Sequence, residues 1–462
     1  QGVNLIISVV LARLILPEEY GIIAAAQVFI SLATSFVSGG FGNALVQKKD
    51  CDDKDYSSMF VFNTVFSLSV YALIFISAPS LVSLFNETFN HDILVKVIRI
   101  LGIGIVFSSF YSYYYAILTK HLLFKKIFKL TLTGTIISAC VGIYAAYRGF
   151  GVWALVIQSL MSNLINTLLF VATSKWRPHF YFSFKRFKPL FLYGVRLMLS
   201  GLMISIYSEL TSLLIGTYYS SEDLAYYKKG ISFTKLLVLN IITAINTSLF
   251  PILANIDSFD EQKRIVRKFN RISAFVITPM MFGLAAVADS FVEIVLTKKW
   301  LPSVLFLQIS CINYSIQPLG MSSLQFLKAS GRATEYLVLD IIRKVVSLIL
   351  LVIAVILKKG VWFIAVSEVV GNFVAIFINM YPGKKHIGYT IREQLEDVLP
   401  KFLLSAIMFV LVYLIGLLPI IDIVKLFVQI IIGIFVYIIG AKLCRMKEFD
   451  ELLDMGIRSL KK

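Results

Sequence analysis

Apolar runs close to the length of a bilayer-crossing helix follow one another along the whole chain, with only short connections between them. An α-helix rises 1.5 Å per residue, so about 20 apolar residues cross the hydrocarbon core of a bilayer. A water-soluble fold would need polar loops to cover such elements, and these connections are too short for that. The pattern predicts an all-α, polytopic membrane protein with about 14 transmembrane helices by the same length rule. The predicted spans are 1–16, 21–40, 57–78, 94–117, 127–147, 151–173, 189–214, 225–250, 270–295, 303–326, 334–357, 361–381, 398–417 and 423–441.

The composition supports this fold class and argues against a metal or cofactor site. Hydrophobic residues make up 58% of the chain and charged residues 15%, whereas soluble domains carry roughly 45–50% and about 25%. The four cysteines and four histidines are scattered without metal-ligand spacing. No connection reaches the length of a folded soluble domain, so we predict no catalytic residue, no metal and no cofactor. The cysteines are Cys51, Cys140, Cys311 and Cys444.

The net charge of +17 is an orientation signal rather than a nucleic-acid-binding feature. Every second connection between the predicted spans is rich in lysine and arginine, as at Lys48, Lys49 and Lys54, at Lys175 in the central connection, and in the C-terminal tail. The intervening connections carry few. By the positive-inside rule this predicts that both termini are cytoplasmic and that no nucleic acid is bound. The basic residues of the intervening set are Arg148, Lys298, Lys299, Lys358 and Lys359.

One signature occurs twice, which indicates an internal repeat. Gly151-Val152-Trp153 is followed by Asn163, and Gly360-Val361-Trp362 by Asn372, 209 positions later. The same register pairs Leu118 with Leu327 and Ser138 with Ser347. An even number of predicted crossings separates the copies, so the halves run the same way through the membrane. A duplicated array of spans with a substrate path between its halves is typical of secondary transporters.

The repeat predicts two pseudo-symmetric six-helix lobes and two appended helices. A second correspondence, between 16–21 and 221–226, supports this division. The chain begins at Gln1 with its first apolar run under way at Val3, so we expect the first span to start upstream. The predicted segments are an N-terminal lobe at 1–173, a cytoplasmic linker at 174–188, a C-terminal lobe at 189–381, appended helices at 382–441 and a basic cytoplasmic tail at 442–462.

Several segments resemble bacterial polysaccharide flippases of the Wzx type, in the multidrug/oligosaccharidyl-lipid/polysaccharide exporter superfamily. They follow the family's order along nearly the whole chain, with Ala225 and Lys229 where the family more often has Gly and Arg. The segments are Leu11-Ala12-Arg13-Leu14-Ile15-Leu16-Pro17-Glu18-Glu19-Tyr20-Gly21, Gly39-Gly40-Phe41-Gly42-Asn43-Ala44-Leu45-Val46-Gln47, Gly149-Phe150-Gly151-Val152-Trp153-Ala154-Leu155-Val156, Leu214-Ile215-Gly216 with Leu224-Ala225-Tyr226-Tyr227, and Lys299-Trp300.

The resemblance implies a non-enzymatic flippase in the bacterial inner membrane. Its cargo would be an undecaprenyl-diphosphate-linked oligosaccharide, moved by alternating access between the lobes for lipopolysaccharide or exopolysaccharide biosynthesis. It also implies coupling to H⁺ or Na⁺, contact with membrane lipids, and partners among the polymerase and chain-length proteins of the pathway.

A diphosphate cargo needs cations within the helix bundle, and charges at membrane depth default to a functional interpretation. In the eighth span Lys228, Lys235 and Asn246 fall on one helical face with Ser232 and Thr243. Further candidates are Lys229, Arg13, which matches a recurrent arginine of the family, and Arg196. The alternative is that these long side chains extend to the membrane interface.

Two carboxylates are candidates for ion coupling. Glu209 lies deep in the seventh span, and Glu368 follows Gly360-Val361-Trp362 by two helical turns. Either could instead belong to a fixed ion pair. In the eleventh span Asp340 is followed by Arg343 and Lys344, a spacing that predicts a self-neutralising cluster. The tyrosines at 111 and 113–115 are expected at a membrane interface, where this residue type concentrates.

Three other functions remain open at this level. A multidrug exporter of the same superfamily would be expected to line its cavity with acidic residues, whereas cations prevail here. A peptidoglycan-precursor exporter also carries a diphosphate, so charge does not separate it from the polysaccharide flippases. A membrane polysaccharide polymerase would be expected to have a large outer loop, and the outer connections are short.

Overall fold

The computed structural model describes residues 2–48, 51–174, 176–177, 179, 181–256 and 258–460, with side chains to 454. Lys49, Lys175, Lys461 and Lys462 of the predicted basic segments lie outside these residues. Within them the chain is helical, without strands. Contacts divide the chain into unit 1, Gln1–Ala225, and unit 2, Tyr226–Lys462.

The helices of unit 1 and the helix that crosses its boundary are α1 (Gly2–Leu14), α2 (Pro17–Ser38), α3 (Phe41–Gln47), α4 (Asp53–Val82), α5 (His91–Lys120), α6 (Phe124–Tyr147), α7 (Val152–Thr173), α8 (Phe184–Tyr218) and α9 (Ser221–Ala254). Unit 2 continues with α10 (Phe259–Ala286), α11 (Ala288–Leu296), a 3₁₀ turn (Lys298–Trp300), α12 (Ser303–Ser315), α13 (Pro318–Ala329), α14 (Ala333–Ile356), α15 (Val361–Ile387), α16 (Ile391–Gly416), α17 (Asp422–Leu443) and α18 (Lys447–Leu460).

The predicted membrane fold is confirmed. Among the described residues, 11 helices are long and apolar enough to cross a bilayer. The remaining predicted spans correspond to α1, which has 13 residues, to α14, which carries Asp340, Arg343 and Lys344, and to the pair α12 and α13. The predicted cluster on α14 is self-neutralising, because Asp340 pairs with Arg343 at 2.5 Å and with Lys344 at 3.0 Å.

The tenth predicted span is broken rather than continuous. Leu319 and Gly320 have non-helical backbone angles, and Gly320 has a φ of +78°. A Cβ at Gly320 would come within 2.7 Å of the Asn379 side chain. Glycine is therefore required there both for the backbone angle and for the close approach of α15.

The internal repeat reappears in the helix bounds. Helices α6 and α14 have 24 residues each and are displaced by 209 positions at both ends. Helices α7 and α15 both begin at the valine of the repeated signature. Each pair also packs in the same way, α6 against α7 in unit 1 and α14 against α15 in unit 2.

Aromatic side chains form the core at the end of unit 1 where α3, α4, α5 and α8 meet. Tyr113 and Tyr114 are 1% and 2% exposed and belong to this core. Trp176, from the connection between α7 and α8, lies against both, with ring centroids 6.5 and 5.8 Å away. These two tyrosines are thus packing residues, because Trp176 covers the face that an interfacial position would leave open.

Helix α8 packs with unit 1, although the sequence assigns it to the C-terminal lobe. It contacts α2, α3 and α4. A Cβ at Gly40 would lie 1.9 Å from the Gly194 carbonyl oxygen, and the rings of Phe41 and Phe191 stack at 6.0 Å. Packing and repeat ancestry are different properties, so the lobe assignment stays a prediction.

Candidate functional site

The predicted polar stripe of α9 lies on a helix 34 residues long in which apolar residues predominate. Lys235, Ser232 and Thr243 are exposed within the chain, and Lys228 and Asn246 are half-buried. The Asn246 Oδ1 atom is buried and accepts no hydrogen bond from the described residues. A face with these groups can donate hydrogen bonds to a polar ligand and carries two positive charges.

Lys229 lies on a different face of α9 from its neighbour Lys228. It is 6% exposed, and its ammonium group lies 5.6 Å from the centroid of the Trp300 ring. Trp300 is fully buried and also contacts Tyr226, with ring centroids 6.0 Å apart. A cation over an aromatic face is stabilised by the ring quadrupole, so the structure places Lys229 inside unit 2 rather than on the exposed stripe.

Glu368 is held by a hydroxyl of the neighbouring helix. The Tyr227 hydroxyl lies 3.0 Å from both Glu368 carboxylate oxygens, and Tyr227 itself is 3% exposed. One turn further along α15, the Asn372 side chain donates to Asn313 Oδ1 at 2.6 Å. A carboxylate can take up a proton, and carboxylate and amide oxygens together can bind a small hard cation.

The equivalent positions of unit 1 border a polar cavity without a carboxylate. In the repeat register Ser159 corresponds to Glu368, and Asn163 to Asn372. Both line a cavity of about 400 Å³ between α1, α2 and α7, together with Ser8 and Tyr20. The two units therefore present the same pair of positions with different chemistry, and the acidic member is confined to unit 2.

The other predicted residues lie on α1 and at two places along α8. Arg13 is exposed at the end of α1, and Arg196 is exposed on α8. Glu209 is half-buried further along α8. Near it, the hydroxyls of Ser205 and Ser35 are 2.5 Å apart and join α8 to α2. Glu209 lies one helical turn beyond Ser205, and both arginines lie on exposed faces.

An ion-pair cluster joins α10, α16 and α18 in unit 2, and sequence reasoning missed it. Arg267 binds Asp397 through two hydrogen bonds of 2.6 and 3.0 Å, and the Tyr389 hydroxyl donates to Asp397 at 2.8 Å. Glu448 pairs with Arg271 and lies 3.1 Å from Lys401. The available signal was the spacing of Asp397 and Lys401, one turn apart on α16.

Neighbouring charges lower the pKa of Glu448, the residue that α18 contributes to this cluster. Burial alone would raise the pKa of Glu448, but hydrogen bonds and charge from Arg271 and Lys401 outweigh it and hold the pKa below its ordinary value. Burial, followed by the Asp397 charge, raises the pKa of Tyr389 above its ordinary range. Both groups therefore keep their neutral-pH charge states firmly.

A second missed cluster lies in unit 1, where the start of α4 meets α8. Asp55 pairs with Lys48 at 2.5 Å and lies 3.6 Å from Arg186, which also binds Asp52. The Asp55 backbone N–H, followed by the Arg186 guanidinium, lowers the pKa of Asp52. The available signal was the acidic N-cap pattern of α4, Asp52 with Asp55 three positions later.

The sequence profile of one family, described as polysaccharide biosynthesis protein, matches residues 10–305. The chain belongs to this family. The resemblance inferred from the repeated and ordered motifs is confirmed, and so is the assignment to membrane transport in polysaccharide biosynthesis.

Two bacterial relatives illustrate what this polysaccharide biosynthesis protein is similar to. It is 25% identical over 300 residues to the teichuronic acid biosynthesis protein TuaB of Bacillus subtilis (strain 168), covering 64% of this chain and 61% of that protein. It is 22% identical over 338 residues to the lipopolysaccharide biosynthesis protein WzxC of Escherichia coli (strain K12), covering 72% and 67%. The matches thus span about two thirds of these relatives' lengths.

A solved structure extends the likeness to the whole chain. The lipid II flippase MurJ, in an inward closed conformation, superposes with a TM-score of 0.77 over 98% of this chain and 97% of that one, at 18% identity. At that identity the comparison establishes the fold alone. The family member described here therefore has a MurJ-like polytopic membrane fold.

The family motifs join helices at the ends that the charge pattern predicts to be outer. The Glu19 carboxylate accepts a hydrogen bond from the Val152 backbone at 3.2 Å. In unit 2, the tryptophan of Lys299-Trp300 packs against Tyr226 and Lys229. At these two places the motifs act through helix capping and aromatic packing.

Proposed function

We propose that this protein is a flippase that moves a lipid-linked oligosaccharide, carried on undecaprenyl diphosphate, from the cytoplasmic to the outer leaflet of the inner membrane. The observation that carries the proposal is the exposed cationic stripe of α9, in which Lys235 and Lys228 accompany hydroxyl and amide groups on a membrane-crossing helix. A diphosphate requires cations, and its glycan requires hydrogen-bonding partners, when the surrounding solvent is lipid.

The remaining parts of the proposal follow the family's transport chemistry. Alternating access between the predicted lobes would expose the stripe to each side in turn, with Arg13, Arg196, Lys229 and Asn246 as further cargo contacts or supports. Glu368 and Glu209 are the proposed coupling sites for H⁺ or Na⁺. The basic connections support cytoplasmic termini, and polymerase and chain-length proteins would receive the cargo.

The decisive experiment measures the leaflet in which the lipid-linked oligosaccharide accumulates in cells lacking this protein. Accumulation in the inner leaflet that the wild type clears, and that Lys235→Ala does not, supports the proposal. Lys298→Ala is the matched control, because that lysine is 82% exposed near the predicted outer end. Normal outer-leaflet delivery of single repeat units would contradict flipping and favour a polymerase.

A peptidoglycan-precursor exporter is the second candidate, favoured by the fold shared with the lipid II flippase. The two are separated by supplying each glycolipid to the same cells or vesicles. Clearance of the peptidoglycan precursor without clearance of the oligosaccharide would favour this candidate. Export of cationic drugs with neither glycolipid moved would favour a multidrug exporter instead.

A further inference from the structure

Unit 1 contains a cavity of about 870 Å³ where the α3–α4 connection faces the first turns of α8. This volume falls within the roughly 300–1,000 Å³ of small-molecule sites. The charge pattern predicts that this end of the unit is cytoplasmic. Charged and polar side chains on its wall are Gln47, Lys48, Asp52, Asp55, Lys185, Arg186 and Tyr193.

A buried carboxylate fixes two of the cations of the wall. The Asp55 side chain is 1% exposed, lies 2.5 Å from Lys48 and 3.6 Å from Arg186, and its Oδ1 atom accepts no hydrogen bond from the described residues. It is anchored in the first turn of α4, where Asp52 caps the helix. Asp55 therefore holds Lys48 and Arg186 in place while its own carboxylate is buried.

The wall has a surplus of positive charge and one replaceable carboxylate. Three cations face two carboxylates, and Lys185 is exposed without an ion-pair partner among the described residues. The Asp52 side chain is 50% exposed, so it can leave Arg186 for water at low cost. An arriving anion must outcompete Asp52, which favours a ligand with two or more negative charges and a geometry suited to the guanidinium fork.

We propose that this cavity binds a diphosphate ester, with Arg186 and Lys185 on the phosphates, Lys48 beside them, and the Tyr193 hydroxyl and Gln47 amide available to the adjoining polar group. The assignment rests on the proposed function in one respect: the head group of the cargo would be the natural ligand, received here at the predicted cytoplasmic face. Soluble diphosphates share the same chemistry.

The test is isothermal titration of the full chain in detergent with farnesyl diphosphate, inorganic pyrophosphate and phosphatidylglycerol. We expect both diphosphates to bind, Arg186→Gln to weaken them at least tenfold, and the matched control Lys188→Gln, on the same helix but outside the cavity wall, to leave them unchanged. Asp52→Asn should tighten binding, because it removes the competing carboxylate. Preference for farnesyl diphosphate over pyrophosphate assigns a lipid source, and the reverse a soluble one.

Several outcomes overturn the proposal. Absence of diphosphate binding, equal binding by Arg186→Gln and wild type, equal binding of phosphatidylglycerol, or weaker binding in Asp52→Asn would each do so. The last is what a purely structural ion pair would give. If the chain flips glycolipid but shows no Arg186-dependent binding, the diphosphate site is refuted and the flippase function stands. If it binds diphosphate but does not flip glycolipid, the flippase function is refuted and the site stands.

Discussion

The Tyr227 hydroxyl lies 3.0 Å from both oxygens of the Glu368 carboxylate, whereas the repeat of unit 1 has Ser159 at the Glu368 position. A duplicated scaffold that keeps an acid in one copy is suited to an asymmetric task. Ion uptake in unit 2 alone is such a task, and substitutions at Glu368 and Tyr227 test it.

Glu368→Gln keeps the size of the side chain and its acceptor for Tyr227 but removes the titratable charge. If Glu368 is a coupling site, glycolipid translocation in proteoliposomes should lose its dependence on a pH or Na⁺ gradient while the protein stays folded. Tyr227→Phe should retain the gradient dependence with a reduced rate, since only one hydrogen-bond donor is lost. Unchanged gradient dependence in Glu368→Gln, with Glu293→Gln as the surface control, would exclude the coupling role.

Gly151→Ala should destabilise unit 1 more than Gly149→Ala does. Both glycines have positive φ, +55° and +78°, but a Cβ at Gly151 would lie 2.0 Å from Glu19 Oε1, whereas Gly149 has open space. The repeat supports the difference, because Lys358 adopts φ +48° at the position equivalent to Gly149 while Gly360 is kept. Backbone strain of this kind costs about 1–3 kcal/mol.

Thermal unfolding in detergent checks this pair of variants. Gly201→Ala is the control for substitution as such, since nothing lies within 4 Å of its Cβ. Equal melting temperatures for the Gly149 and Gly151 variants would mean that the contact with Glu19 does not matter.

Glu448→Gln should destabilise the protein by about 3–5 kcal/mol, the range for removing one partner of a buried ion pair. The variant leaves Arg271 and Lys401 facing each other, and Lys401 is 5% exposed. Glu451→Gln, whose pair with Lys268 is 2.9 Å long but about 40% exposed, should cost at most about 1 kcal/mol. A similar effect of the two variants on thermal stability would contradict a buried network.

Acid should remove the contribution of Glu448 without the mutation. Its folded-state pKa lies below the ordinary value, so its stabilisation is complete above the unfolded pKa of about 4.3 and is lost as the pH falls through the folded value. The melting temperatures of wild type and Glu448→Gln should therefore differ most at pH 7 and converge as the pH falls through the folded-state pKa of Glu448. A constant difference across this range would assign the effect to packing.

Cysteine accessibility tests the predicted orientation. Cys444 is exposed just after α17, and Cys311 is buried. In a chain retaining only Cys444, a membrane-impermeant maleimide should react after the cells are opened and not before. Lys298→Cys in a cysteine-free chain should give the opposite result. Labelling of Cys444 in intact cells would contradict the predicted cytoplasmic position of the C-terminal tail.

Periodicity and repetition predict the scaffold well because they record how much apolar surface each segment must place in lipid. The bounds of α6 and α14 illustrate this, since the repeat register carries one onto the other. The break at Leu319–Gly320 was not foreseeable from apolar run length, because a kinked span and a straight one bury similar side chains. The close approach of Asn379 that requires Gly320 is a tertiary contact.

The candidate site was less accessible to sequence reasoning. Lys228 and Lys229 are neighbours in sequence, yet Lys229 is buried over the Trp300 ring while Lys228 lies on another face of α9, because one residue turns a helix by about 100°. From the sequence, Lys48 counts only as an orientation signal, and Arg186 lies in the basic central connection without a predicted role in binding. The pairing of Arg186 with Asp52 and Asp55 joins segments more than 130 residues apart, a relation that no local pattern contains.

The carboxylate of Glu19 accepts hydrogen bonds at the starts of two helices. One comes from the Leu16 backbone at 3.2 Å, and the other, at the same distance, from the backbone of Val152, which is 133 residues after Glu19. During synthesis, α2 must therefore enter the bilayer with only half of this cap in use. The second bond can form only after the start of α7 has been synthesised, because the Val152 backbone supplies its donor. A nascent chain stopped before Val152 would have the Glu19 carboxylate bonded to the Leu16 backbone alone.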